Sequence, residues 1–173
     1  MGGCAPGFST RLKRAQKPKT IPMKIHIVAV GKIKDKIVRQ KIEEYLERPG
    51  KGFEVVLKEV LDGRGDAAEM KKQEAQRILS ALPKRAFLAA LDERGEELDS
   101  RGFAELVRKR INMGLDLAFI IGGAYGLDEK VGLASDKVIA LSRLTFSHEL
   151  ARLVLAEQIY RAFSIIKGAP YHH

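Results

Sequence analysis

Three stretches of the chain combine residue types suited to holding a ligand, and each follows an apolar run. In Ile120-Ile121-Gly122-Gly123-Ala124-Tyr125-Gly126, three glycines allow positive φ and close approach of a ligand to the backbone. The spacing is not GxGxxG, and Asp128 and Glu129 follow closely, so a dinucleotide pyrophosphate would be poorly served. A structural turn is the plain alternative. The second stretch, Leu141, Ser142, Arg143, Leu144, Thr145 and Phe146, mixes apolar side chains with free backbone amides and carbonyls. Such a loop suits a planar heterocycle such as adenine, unless it is an ordinary strand-to-helix connection. In the third, Leu91 stands at the lip of a strand end, and Asp92 or Glu93 could reach ribose hydroxyls or remain solvated turn residues.

Proton transfer points to His148. It falls in the first turn of the last helix, where the positive helix end favours neutral imidazole, a base or hydrogen-bond partner. Arg152 and Arg161 could contact phosphate, although Glu157 lies four residues before Arg161 and offers a surface ion pair instead. Near the chain end, Tyr171, His172 and His173 could stack on or hydrogen-bond a nucleobase.

The elements that must position these groups are legible from periodicity. Strands are expected at Lys24 to Val30, Phe53 to Val60, Arg85 to Leu91, Asp116 to Ile121 and Lys137 to Leu141. Between the first two, Ile37, Ile42, Tyr45 and Leu46 fit one helical face, ended by Pro49-Gly50. Asp66 and Glu69 resemble a capping box opening a helix with Ala75, Ile78, Leu79 and Leu82 on one side. Ser100 can cap a third helix carrying Phe103, Leu106, Val107 and Ile111, which stops at Gly114. Alternation of this kind implies an α/β fold, a mainly parallel sheet with helices on both faces. The last helix, His148 to Lys167, carries one apolar stripe (Ala151, Leu155, Ile159, Ala162, Ile166) and a second patch (Leu153, Ala156, Tyr160). One sheet cannot easily cover both, so the helix is either deeply buried in its own chain or packed on a second subunit, the latter expectation implying a homodimer.

A chain of 173 residues, 45% apolar and 31% charged, is the size and composition of one soluble domain, read here as residues 23–173. No apolar run approaches the ~20 residues that span a bilayer, so no membrane role is expected. The only cysteine is Cys4, and no Cys/His pairs have zinc-ligand spacing, which points to a cytoplasmic protein without metal. Of the net charge of +9, five units fall in residues 1–22, read as a disordered basic extension, which leaves +4 for the rest. A polyanionic partner fits that balance.

Taken in order, several segments resemble one family. They are Met23 to Lys32, Ala90 to Gly95, Phe119 to Leu127, Leu141 to Arg152, Glu157 to Ala162 and Pro170 to His172, and together they are similar to the ribosomal RNA large subunit methyltransferase H family. The resemblance implies a SPOUT fold with a C-terminal trefoil knot, a homodimer, and S-adenosylmethionine held by Leu91, Gly122 and Leu141 to Phe146. It further implies methylation of N3 of a pseudouridine in large-subunit rRNA within the assembled ribosome, with His148, Arg161, Tyr171 and the chain end, His172 and His173, around the methyl acceptor; Arg152 is assigned to the substrate by the phosphate contact read above. Relatives often carry Arg after Tyr-His where this chain has His173, and Pro on either side of the histidine where it has Ser147 and Glu149. A non-catalytic ribosome-binding module is the alternative. An oxidoreductase is weaker, because no dinucleotide fingerprint follows the first strand.

Overall fold

Met23 opens the first strand, one residue before the sequence pattern begins it. The computed structural model describes residues 23–50 and 53–171. The expected basic extension, residues 1–22, and the substrate calls at His172 and His173 lie outside the described residues. The elements run β1 (Met23–Val30), α1 (Lys36–Glu47), β2 (Phe53–Val60), α2 (Ala67–Ala81), β3 (Ala86–Glu97), α3 (Ser100–Met113), β4 (Asp116–Ile121), α4 (Glu129–Ala134), β5 (Lys137–Ala140) and α5 (His148–Lys167).

The strands form one sheet in the order β2-β1-β4-β3-β5, and every pairing between them is parallel. Side chains alternate across it. Ile25, Ile27, Ala29, Leu117, Phe119 and Ile121 face α3 and α5, whereas Val28, Val30, Ala90 and Ile120 face α2 and α4. Both faces are therefore covered, which is why β1 and β4 read as nearly continuous apolar runs. Phe119 stacks on Phe103 at 5.4 Å, a contact worth about 1 kcal/mol beyond the area it buries.

Helix starts follow local chemistry. Asp35, Asp66, Asp99, Asp128 and Ser147 each cap a helix by accepting from backbone amides one turn in. The cap of α3 is thus Asp99, one residue before the expected Ser100. Gly114 and Gly168 close α3 and α5 in the left-handed conformation.

Four expectations are corrected. β3 does not end at Leu91 but continues to Glu97, its pairing with β5 breaking register between Leu91 and Glu96. The excursion is tight: a Cβ on Gly95 would come within 2.6 Å of the Ile139 backbone. Ile37 and Leu79 are exposed, so the apolar faces of α1 and α2 are narrower than the periodicity implied. The short α4 was not expected at all. Finally, the second patch of α5 is covered within the chain. Ala156 is fully buried with Ile33 and Ile42, and Leu153, Tyr45 and Leu46 pack around them. α1 supplies the second cover, so this patch gives no ground for a second subunit.

Candidate active site

Carboxyl ends of parallel strands leave backbone groups free to meet a ligand, and the chain builds a cleft there. It measures about 830 Å³ and lies at the carboxyl ends of β4 and β5, beside Leu91 to Arg94 of β3. Leu91, Ile121, Leu141, Phe146 and Ala151 give it apolar lining; Gly122 to Gly126, Ser142, Leu144, Thr145 and His148 also border it. Of the expected cofactor residues, Leu91, Gly122, Leu141, Ser142, Leu144, Thr145 and Phe146 thus come together. Arg143 does not border the cleft; its Nε pairs with Glu97 at 3.1 Å.

The glycines of the β4 turn are required for packing among protein atoms. A Cβ on Gly122 would sit 2.8 Å from the Gly126 carbonyl carbon, and one on Gly123 would sit 2.8 Å from the buried Glu74 carboxylate. Gly126 has φ +76° and donates from its amide to the Gly123 carbonyl at 3.1 Å. Glu74 also accepts from the Gly63 amide at 2.9 Å, so one carboxylate ties α2 to the loop after β2 and lies against the β4 turn at Gly123. Sequence reasoning had no signal for this contact.

The acids after Leu91 are engaged. Arg94 grips Asp92 with two nitrogens at 2.8 and 2.9 Å, and this hydrogen bonding holds the Asp92 carboxyl below its usual range. Glu93 accepts from the Thr145 hydroxyl at 2.6 Å, tying the loop after β5 to β3. Both carboxylates border the cleft while already accepting hydrogen bonds from within the chain.

His148 stands half-buried at the cleft border, in the first turn of α5. Its neighbour Glu149 accepts from the Lys34 amide at 2.6 Å, and Ser147 caps the helix. The imidazole is therefore not needed to start the helix.

Arg152 contradicts the expected phosphate contact. It is fully buried, donates to the Val30 carbonyl and to the Gly31 carbonyl at 2.9 Å, and reaches Glu59 at 3.3 Å. Burial pulls its pKa down, opposed chiefly by Glu59. The side chain satisfies carbonyls beyond the end of β1, where the parallel ladder gives out. Arg152→Met should cost about 3 kcal/mol, because those carbonyls and Glu59 lose their partner. Thermal melting tests this: an unchanged midpoint with weakened ribosome binding would return Arg152 to the surface role.

Arg161 and Tyr171 lie elsewhere, about 20 Å along α5 from His148 by helical rise. Arg161 binds Glu157 through Nε at 3.0 Å and Nη2 at 2.5 Å, the i, i+4 pair foreseen as the plain alternative, and this pairing raises its pKa. Its guanidinium covers the Tyr171 ring at 4.9 Å. Burial first, then the Tyr45 hydroxyl and Glu157, push the Tyr171 phenol up to about 12. Within one chain these two residues do not meet His148.

Sheet and cleft define the class of small α/β domains that take a ligand at the carboxyl ends of parallel strands. The chain belongs to the family described as "Predicted SPOUT methyltransferase", whose pattern matches residues 23–172. It is thus a SPOUT-family methyltransferase. Among curated proteins it is similar to Ribosomal RNA large subunit methyltransferase H from Geobacter sulfurreducens, 44% identical over 153 residues, covering 87% of this chain and 100% of that one. The protein of the same name from Gluconacetobacter diazotrophicus is 43% identical, with 86% and 96% covered. Among solved structures, a probable methylase family protein from Haemophilus influenzae superposes with TM-score 0.52 at 11% identity, covering 89% of this chain and 71% of that one. That likeness concerns the fold alone.

Among the described residues no helix is long and apolar enough to cross a membrane, and no cluster of three His, Cys, Asp or Glu side chains could hold a metal.

Proposed function

We propose that this chain methylates N3 of a pseudouridine in large-subunit rRNA, on the assembled ribosome in the cytoplasm, using S-adenosylmethionine. The reading rests on one observation above all: the cleft gathers seven of the eight expected cofactor residues, with His148 on its border. The names of the relatives supply the rRNA.

The fit to the cofactor is one of size and character. A cleft of about 830 Å³ lies within the range of small-molecule sites. Leu91, Ile121, Leu141 and Phe146 offer apolar walls for an adenine ring, and the loop amides and carbonyls can read its edge. When bound, S-adenosylmethionine supplies an electrophilic methyl group.

The rest falls to the protein. The cleft walls exclude water around the reacting atoms and hold the acceptor base in line, the main source of rate for a transfer between two bound groups. His148 accepts the N3 proton of the base, leaving N3 nucleophilic. Arg161 and Tyr171, too far along α5 to reach the same cleft, serve the cleft of a second copy of the chain, where Arg161 offsets negative charge on the base. Exposed Tyr125, Leu144 and Leu150, at or near the cleft rim, give such a pairing apolar surface. The trefoil knot of the family is part of the same reading.

Calorimetry with S-adenosylmethionine tests the core of the proposal. A Kd in the micromolar range is expected, and no heat at millimolar cofactor would favour the non-catalytic ribosome-binding module. Mixing His148→Ala chains with Arg161→Ala chains tests the shared site. Each homodimer should be nearly inactive and the mixture should recover activity through one intact composite site. A fully active monomer would end the two-chain reading.

A further inference from the structure

Three tyrosine rings gather around the C-terminal half of α5, away from the cleft. Tyr160 meets Tyr171 edge-on at 4.5 Å and Tyr45 of α1 at 6.1 Å. Two guanidinium groups cover them. Arg161 lies over Tyr171, whereas Arg48, the residue that ends α1, lies 5.0 Å from the Tyr45 ring centre and 5.3 Å from that of Tyr160.

The two arginines differ in what remains of their charge. Arg161 donates twice to Glu157. Among the described residues Arg48 has one carboxylate within 4.0 Å, that of Glu44, and the Lys41 ammonium holds that same carboxylate more closely, at 2.8 Å. Among the described residues, the carboxylates within 4.0 Å of Lys41, Arg48 and Arg161 are those of Glu44 and Glu157. The Arg48 side chain is 43% exposed, so its unspent donors are open to solvent. Both rings flank its central carbon while the side chain stays open to solvent. A guanidinium flanked by aromatic rings and open to solvent suits a phosphate contact, and it has less side-chain freedom to lose on binding than an unflanked one.

We propose that Arg48 is a phosphate-binding residue, holding a phosphodiester of the RNA strand that carries the target base. The proposal rests on the rRNA reading above and assigns the strand's electrostatic anchor to Arg48, leaving Arg161, paired with Glu157, to the base. Phosphate contacts of this kind fix the register of a nucleic acid without reading its sequence. The Arg48 contact therefore acts on substrate affinity and leaves cofactor binding and the chemical step alone.

The test compares wild type, Arg48→Gln and Arg48→Lys on large ribosomal subunits across a salt series. Loss of one phosphate contact should lower the slope of log affinity against log salt by about one and weaken binding uniformly. Arg48→Gln should raise KM for the subunits about tenfold, with kcat and the Kd for S-adenosylmethionine within twofold of wild type. Arg48→Lys should restore the slope and part of the affinity. An Arg48→Gln slope equal to wild type overturns the proposal, as does an equal loss in both variants accompanied by a lower melting midpoint, which would mark a packing residue. Wild-type protein that transfers no methyl group to any ribosomal particle would instead sink the rRNA reading, and this one with it.

Discussion

Replacing His148 with alanine should leave cofactor binding intact and lower methyl transfer to ribosomes by about 10²- to 10⁴-fold, the usual contribution of a positioned acid or base. The local structure makes this substitution informative. Ser147 caps α5, Glu149 anchors the helix start to Lys34, and buried Arg152 ties the next turn to the end of β1. None of these contacts uses the imidazole, so a folded variant is expected. Single-turnover rates with saturating cofactor would isolate the chemical step. If that rate stays within twofold of wild type, His148 merely borders the cleft and the proton leaves by another route.

Gly122→Val should abolish cofactor binding, weakening it by at least about 100-fold, near 2.7 kcal/mol. The expected cause is internal to the protein. A Cβ at Gly122 would sit 2.8 and 2.9 Å from the Gly126 carbonyl carbon and oxygen and 3.0 Å from the Leu127 amide nitrogen. These are backbone atoms of the same tight turn and cannot swing aside as a side-chain tip can. The turn must open, and with it the cleft wall that Gly122 to Gly126 form. Gly132 offers the matching control. It lies within α4, without positive φ, and a Cβ there would meet nothing within 4 Å. Gly132→Ala should therefore keep cofactor affinity and add about 0.5 kcal/mol of stability by restricting the unfolded chain. Calorimetry and melting curves on both variants decide the matter. Normal affinity in a folded Gly122→Val protein would remove this turn from the binding site.

Much of this protein was legible along the chain because the relevant physics is local. Asp66 and Ser147 cap helices through amides two or three residues away, and Gly114 ends α3 by adopting a conformation that side chains resist. The apolar runs from Ile25 to Val30 and Leu117 to Ile121 marked strands buried on both faces. Because the residues that line a parallel-sheet site lie just beyond such strands, the cleft residues could be named from the same pattern.

What lay out of reach depends on residues far apart in sequence. A charged run such as Asp92 to Glu97 looks like a turn until β5 is seen beside it, and only then does β3 continue. Buried Glu74 of α2 lies against Gly123 of the β4 turn and holds the Gly63 amide, and no spacing in the chain announces it. Arg152 and Arg161 look alike on a helical wheel, yet one is buried against Val30, Gly31 and Glu59 while the other is half-buried beside Glu157. The second apolar patch of α5 called for a cover, and the sequence could not say whether a neighbour or α1 would provide it. Periodicity determines that a face must be buried, since exposing it to water is costly. Which surface buries it is decided by the three-dimensional path of the chain, where α1 reaches Ala156 before any second copy can.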